Sequence, residues 1–316
     1  MVHKEKLPLI LAIFYAVGIS TLLFAWFTIY WATILIIPLT SLLSLIFFWK
    51  YKQGKTFKAY HEEHPSSALF FSLALFCLAF TIRAPSVLLF GVSLEKTAIF
   101  LLSYMIVLAN GWSPRSFGFT LRGWENQIVV GVIFFVLLSF VFQLNVWFGV
   151  ILFGWKLKLR IQEFFIWLPF YLSVGLGEEA FFRGYIQTRM HVFGRKTAIF
   201  LASFLLFGVW HFIWHVVPLS MWRILIRTVV TGAIGMIMAI VYEHTGSLLG
   251  VIVTHGLWDT WVTNSTIEAG GGLQGVDGGI FLVSLILYGI LLKFGGQLAK
   301  KLGGSSDATN SPVGDP

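Results

Sequence analysis

Long apolar runs separated by short polar gaps make up almost the whole of this chain. A helix that crosses a bilayer needs about 20 mostly apolar residues. Residues 7–49 contain no Asp, Glu, Lys or Arg. That is about twice the length of one span, so the pattern predicts a helical hairpin turning near Thr28 to Trp31. Further spans are predicted at roughly 67–90, 97–111, 127–150, 164–188, 198–216, 223–243, 247–264 and 279–297. Lys4 and Lys6 precede the first apolar run as in a signal peptide. That run is too long and lacks a small-residue cleavage site, which predicts a retained anchor. The expected fold class is all-α, a polytopic transmembrane helical bundle of about 8–10 spans. The expected organisation is an N-terminal transmembrane hairpin and basic linker (1–60), a multi-helix membrane core (61–300) and a flexible polar tail (301–316).

Composition sharpens this picture. Hydrophobic residues make up 57% and charged residues 11% of the chain, and the mean hydropathy is +0.84. Soluble domains carry about 25% charged residues, so a soluble globular enzyme is excluded, as are disorder, collagen and coiled coil. The single cysteine excludes an intramolecular disulfide and a zinc site built from several cysteines.

The net charge of +8 would point to nucleic acid in a soluble protein. Here the basic residues sit in the gaps between apolar runs, as in the cytoplasmic loops of membrane proteins. No nucleic-acid partner is therefore expected. With the N-terminus inside, most of the Lys and Arg fall on the inner side. Only Lys96, Lys156, Lys158 and Arg160 fall outside. Both termini are thus expected in the cytoplasm, in a bacterial or archaeal plasma membrane. The segment Lys156 to Arg160 disagrees with the rule and reads as an interfacial segment or a miscounted span. Arg83, just before Pro85, reads as a helix-end residue snorkelling to the interface.

Ionisable groups inside apolar runs cost roughly 2.5–3.5 kcal/mol each and are retained for pairing, a water cavity or chemistry. Three places stand out. The first is Gly175 to Gly184, with adjacent Glu178 and Glu179. Successive helical residues point about 100° apart, so the two carboxylates have different roles. Glu179 and Arg183 share a face and form an expected ion pair. Glu178 is left without that partner, and a lone carboxylate in a low-dielectric pocket suits general-base work. The alternative is a helix end emerging among headgroups.

The second place holds His211 and His215, four residues apart on an aromatic helix. This spacing can offer two imidazoles to one metal, but it lacks the Glu that makes the zincin motif specific. Hydrogen-bonded packing is the alternative. The third holds His255 and Asp259, one helical turn apart, where the carboxylate can orient the ring. An interhelical hydrogen bond that only holds the bundle is the alternative there. Together Glu178, His211, His255 and Asp259 sit on three spans and can face one cavity. A carboxylate with imidazoles can activate water against a carbonyl. In that scheme Glu178 takes the proton, His255 holds the water and His211 stabilises the oxyanion. No GxSxG, Ser–Lys or GxGD pattern competes.

The motifs Glu178-Glu179-x-x-x-Arg183, Phe207-x-x-x-His211 and His255-x-x-x-Asp259, in this order on separate apolar helices, resemble the CPBP family of intramembrane proteases. That family includes the type II CAAX prenyl endopeptidases (Rce1-like) and bacteriocin-immunity homologues. The stretch Phe117 to Gly123 is also similar to bacterial members. The resemblance implies a multi-helix endopeptidase whose site opens in the cytoplasmic half of the bilayer. It implies Glu178 as catalytic base, His211 and His255 as active-site histidines, and Asp259 at a position taken by Asn or Asp. It further implies Glu179 with Arg183 as a structural pair and Phe207 as a lining residue. The implied substrate is a membrane-associated, in some members lipidated, protein or peptide. No cofactor is favoured. A zinc ion on His211 and His255, with His215 as the extra ligand, is the alternative. Asp259 departs from the Asn of the prenyl proteases and adds a negative charge. Two other functions compete: an immunity or scaffold protein of the same fold, and a proton or cation transporter.

Overall fold

The computed structural model describes residues 58–61, 63–90, 95–215, 221–268 and 276–302. The expected N-terminal hairpin and nearly all of the linker and polar tail lie outside the described residues. The described elements are helices in an all-α bundle. Helix α1 spans Pro65–Phe90, α2 spans Lys96–Ala109 and α3 spans Trp124–Phe153. Helix α4 (Ile161–Glu179) runs on through a π-helical stretch, Ala180–Gln187. Helix α5 (Arg195–Ile199) passes through a second π-helical stretch, Phe200–Leu206, into α6 (Phe207–His211). Helices α7 (Met221–Thr245), α8 (Leu248–Thr263) and α9 (Val276–Leu302) complete the described chain. Pro65–Leu88, Trp124–Leu152 and Ile224–Thr245 are each long and apolar enough to cross a membrane. The protein is an integral membrane protein.

Helix α3 shows why the chain needs lipid. Val130, Phe134, Leu138 and Val141 recur at helical spacing and are buried, whereas Val129, Val132, Val136, Phe140 and Trp147 on the other faces are exposed. A soluble amphipathic helix puts polar residues on its outer face. Here both faces are apolar, so the outer one is solvated by acyl chains.

Between lipid-embedded helices there is no net hydrophobic driving force, and close packing and hydrogen bonds hold the bundle together. The α3–α8 crossing illustrates this. A Cβ at Gly131 would lie 2.6 Å from the Gly250 carbonyl oxygen. In the space left by the missing side chain, the Thr254 hydroxyl reaches the Gly131 carbonyl oxygen at 3.1 Å. Helix α8 begins at Ser247, whose Oγ accepts from the Leu249 amide at 3.2 Å, the usual N-cap arrangement.

One reading gains a structure and one is corrected. Lys156–Leu159 forms strand β1, paired antiparallel with β2 (Ser265–Glu268) in the register Leu157 to Ile267. The period-two alternation Lys-Leu-Lys-Leu is a strand signal, and the backbone groups find partners in the other strand. Arg83 is not a helix-end residue: α1 continues through Pro85 to Phe90, so Arg83 lies within the helix and is buried.

Candidate active site

Five helices deliver side chains to one buried cluster. Glu178 and Glu179 lie at the end of α4, where small residues let the backbone approach its neighbours. A Cβ at Gly177 would lie 2.5 Å from the Lys96 carbonyl oxygen of α2, and one at Gly175 would lie 3.0 Å from the Ile252 carbonyl oxygen of α8. The helix carrying the two carboxylates is therefore wedged between α2 and α8. Gly256 makes the return contact, since a Cβ there would lie 2.8 Å from the Leu172 Cα.

The two oxygens of Glu178 are in different surroundings. Oε1 accepts a hydrogen bond from the Lys96 ammonium and another from the Trp210 indole Nε1 at 2.8 Å. Arg83 Nη1 stands 3.8 Å from the same oxygen. Oε2 makes no hydrogen bond. It faces His211 Nε2 at 3.5 Å and His255 Nε2 at 3.6 Å. Glu178 is 1% exposed, so its charge is balanced by the protein.

The histidines are oriented by different partners. His211 Nδ1 lies 2.9 Å from the Phe207 carbonyl oxygen. A carbonyl only accepts, so Nδ1 carries the proton and Nε2 of the neutral ring presents its lone pair. The His211 ring also packs against Phe207, with centroids 4.6 Å apart. His255 Nδ1 donates to Glu179 Oε1 at 2.6 Å, and its Nε2 stands 3.3 Å from Asp259 Oδ2. Glu179 Oε1 also accepts from Arg183 Nη1 at 3.0 Å, and Arg183 Nη2 donates to the Gly235 carbonyl oxygen at 2.9 Å. The Arg183 guanidinium lies over the Phe207 ring, 4.1 Å from its centroid. The ion pair expected from spacing thus also holds His255. Glu178 and His255 are buried, while His211 and Asp259 are partly exposed at 21% and 29%. The cluster is approached from the side of these two.

No match was found among curated proteins or among solved structures. Residues 160–261 match the family model described as type II CAAX prenyl endopeptidase Rce1-like. Residues 160–261 are thus a CPBP-type segment. The matched segment contains Glu178, Glu179, Arg183, Phe207, His211 and His255 with Asp259, and the structure links all of them in one chain of contacts that reaches Glu178 through the two histidines.

One expectation about the site is corrected. Glu178 is not a lone carboxylate, because Lys96 pairs with it. Lys96 was expected in an outer loop. It is 3% exposed at the start of α2 and is also 3.1 Å from Glu95 Oε1. Arg83 pairs with Glu95 as well, donates from Nε to the Trp210 carbonyl oxygen at 3.0 Å and lies over the Trp210 ring at 4.5 Å. The cost of burying these cations is offset by carboxylates and by the indole face. Arg83, Glu95 and Lys96 all lie before the matched segment. Their signal in the sequence was their position at the ends of apolar runs, which local spacing cannot distinguish from a loop.

Among the described residues, no group of three or more His, Cys, Asp or Glu side chains is arranged to hold a metal ion. The side chain of His215 lies outside them. One oxygen of Glu178 is already committed to an ammonium. The described donors do not form a metal cage.

Proposed function

We propose that this protein is an intramembrane endopeptidase in which Glu178 activates water. One observation carries the reading: Oε1 of Glu178 is occupied by Lys96 and Trp210 while Oε2 stands free between two imidazoles. A carboxylate held this way keeps one basic oxygen pointed at a fixed place, which is what general-base catalysis requires.

In the proposed step, Oε2 takes one proton from a water as its oxygen bonds to the scissile carbonyl carbon. His211 Nε2, a lone pair in the tautomer set by Phe207, accepts the hydrogen bond from the second water proton. Both nitrogens of His255 face carboxylates, which only accept, so the doubly protonated ring satisfies them. Its Nε2–H is then shared between Asp259 and the developing oxyanion. The tautomers exchange the two histidine roles expected from sequence. When the tetrahedral intermediate collapses, the C–N bond breaks and the proton on Glu178 passes to the leaving amine. The products are a carboxylic acid and an amine.

The substrate we propose is a membrane-associated protein or peptide cut near the cytoplasmic face, of CAAX type or related. We place both termini in the cytoplasm of a bacterial or archaeal plasma membrane, a placement that reporter fusions to each terminus test. The activity is tested in proteoliposomes with a quenched prenylated CAAX peptide and an unprenylated control. Wild type should cleave, and Glu178→Gln should not. Cleavage undiminished in Glu178→Gln would overturn the mechanism. Absence of cleavage of both peptides by folded wild type would favour a scaffold or immunity protein of the same fold.

A further inference from the structure

We propose that Lys96 is a positioning residue that selects which oxygen of Glu178 acts as the base, an inference that rests on the protease reading above. The ammonium bonds Oε1 and leaves Oε2 free. Lys96 is held from three sides. Glu95 Oε1 lies 3.1 Å from its Nζ. The Trp210 ring centroid lies 5.4 Å from the same nitrogen, within reach of a cation–π attraction. Its own backbone carbonyl abuts Gly177, where an added Cβ would come within 2.5 Å. Trp210 donates to the same Oε1 at 2.8 Å. A carboxylate bonded at one oxygen by two fixed donors cannot turn about its last torsion without losing both. Lys96 thereby fixes the direction of Oε2 toward His211 and His255.

The charge matters as much as the geometry. A carboxylate buried without a cation exists more favourably with its proton on. A glutamate that already carries a proton cannot accept one from water. Lys96 is the cation in hydrogen-bond contact with Glu178, and Arg83 is committed to Glu95 and stands 3.8 Å away. Lys96 lies outside the segment that matches the family model. On this reading the first described helices belong to the catalytic unit and do more than anchor it.

The test uses full-length protein in proteoliposomes. Wild type, Lys96→Met, Lys96→Arg and Glu178→Gln are compared for kcat, KM and the infrared bands of Glu178, assigned by difference against Glu178→Gln. Lys96→Met keeps the length of the side chain and removes its charge. It should lower kcat by about 100-fold, at the low end of what general-base catalysis contributes, and leave KM within about threefold, since ground-state binding is untouched. Its Glu178 band should move from the carboxylate to the protonated carboxyl position at neutral pH. Lys96→Arg should restore much of kcat and the carboxylate band. A folded Lys96→Met protein with wild-type kcat and an unchanged band would overturn the proposal. The band is read without turnover. If no peptide is cleaved by wild type, the protease reading fails on activity, while an unmoved band in Lys96→Met separately overturns the role of Lys96.

Discussion

Two buried carboxylates in this protein sit among similar partners and end in opposite states. Glu178 has a cation, an indole and two histidines around it. Glu243, on α7, has Gln187, His191 and Arg195. Glu243 Oε1 accepts from Gln187 Nε2 and lies by His191 Nε2, both at 2.6 Å, and Oε2 is ion-paired with Arg195, whose Nε is 3.0 Å away. Both of its oxygens are filled. Glu178 has all of its donors on Oε1 and nothing on Oε2. The same chemistry of carboxylate, cation and imidazole thus makes a closed structural joint in one place and an open basic oxygen in the other. The difference lies in how the donors are shared between the two oxygens, more than in which residues are present.

The largest effect that would test this contrast is at the open oxygen. Glu178→Gln should lower kcat by about 10²–10⁴-fold with the folded state retained, because Lys96 keeps Glu95 as a partner. Turnover by proteoliposomes alongside detergent melting checks both halves. The converse holds at the closed joint. Glu243→Gln should cost about 1–3 kcal/mol of stability, the range for leaving buried partners unsatisfied, and leave kcat within a few-fold of wild type. Melting temperature and turnover on the same samples would separate the two. If Glu243→Gln abolished cleavage at unchanged stability, the contrast between the two sites would collapse.

A smaller effect tests the geometry without touching any charge. Gly177→Ala places a methyl against the Lys96 carbonyl at 2.5 Å and should separate α2 from α4. Overpacking of this kind typically costs about 1–3 kcal/mol, and a fall in kcat should accompany it. Gly175→Ala, with 3.0 Å to the Ile252 carbonyl, should do less. Equal kcat for Gly177→Ala and wild type would mean that the fit of Lys96 against Glu178 is not needed. The smallest effect is expected at Asp259, which is partly exposed and only 3.3 Å from His255. Asp259→Asn removes a charge at the open side of the site. It should change kcat by less than about tenfold, since the Asn amide oxygen still accepts from His255, His255 keeps the Glu179 bond, and a neutral hydrogen bond is worth about 1 kcal/mol. The ratio of prenylated to unprenylated peptide cleavage should shift with it.

Much of the bundle was legible in the sequence because lipid demands long uninterrupted apolar runs. The predicted spans from 67 onward each have a described helix, including the chain around Pro85 that was misread at Arg83. The matched motifs were legible for a related reason: Glu179 to Arg183 and His255 to Asp259 are contacts within one helix, and helical spacing reveals them. Lys96 and Arg83 were not legible. Lys96 finds Glu178 82 positions away, and Arg83 finds the Trp210 carbonyl 127 positions away. Such pairings depend on which helices are neighbours, and spacing carries no record of that. The π-helical stretches after Glu179 and before Phe207 were likewise invisible, since they come from packing between helices and not from a composition of their own. The strand pair was half legible: the alternation in Lys156 to Leu159 was present, but its partner Ser265 to Glu268, of equal length, has the sequence Ser-Thr-Ile-Glu and no such alternation.

That strand pair has a mechanical consequence. It joins the beginning of α4 to the end of α8, and the Arg160 amide adds a further bond to the Asn264 carbonyl at 3.0 Å. Further along, the same two helices are pressed together at Gly175 and Gly256. The carrier of Glu178 and the carrier of His255 are clamped at two levels and behave as a single jaw. The helix bearing His211 is joined to them by side chains, through the Trp210 indole on Glu178 and the Arg183 guanidinium over Phe207. Pinning the fixed jaw with cysteines at the paired positions Leu157 and Ile267 should then leave turnover intact.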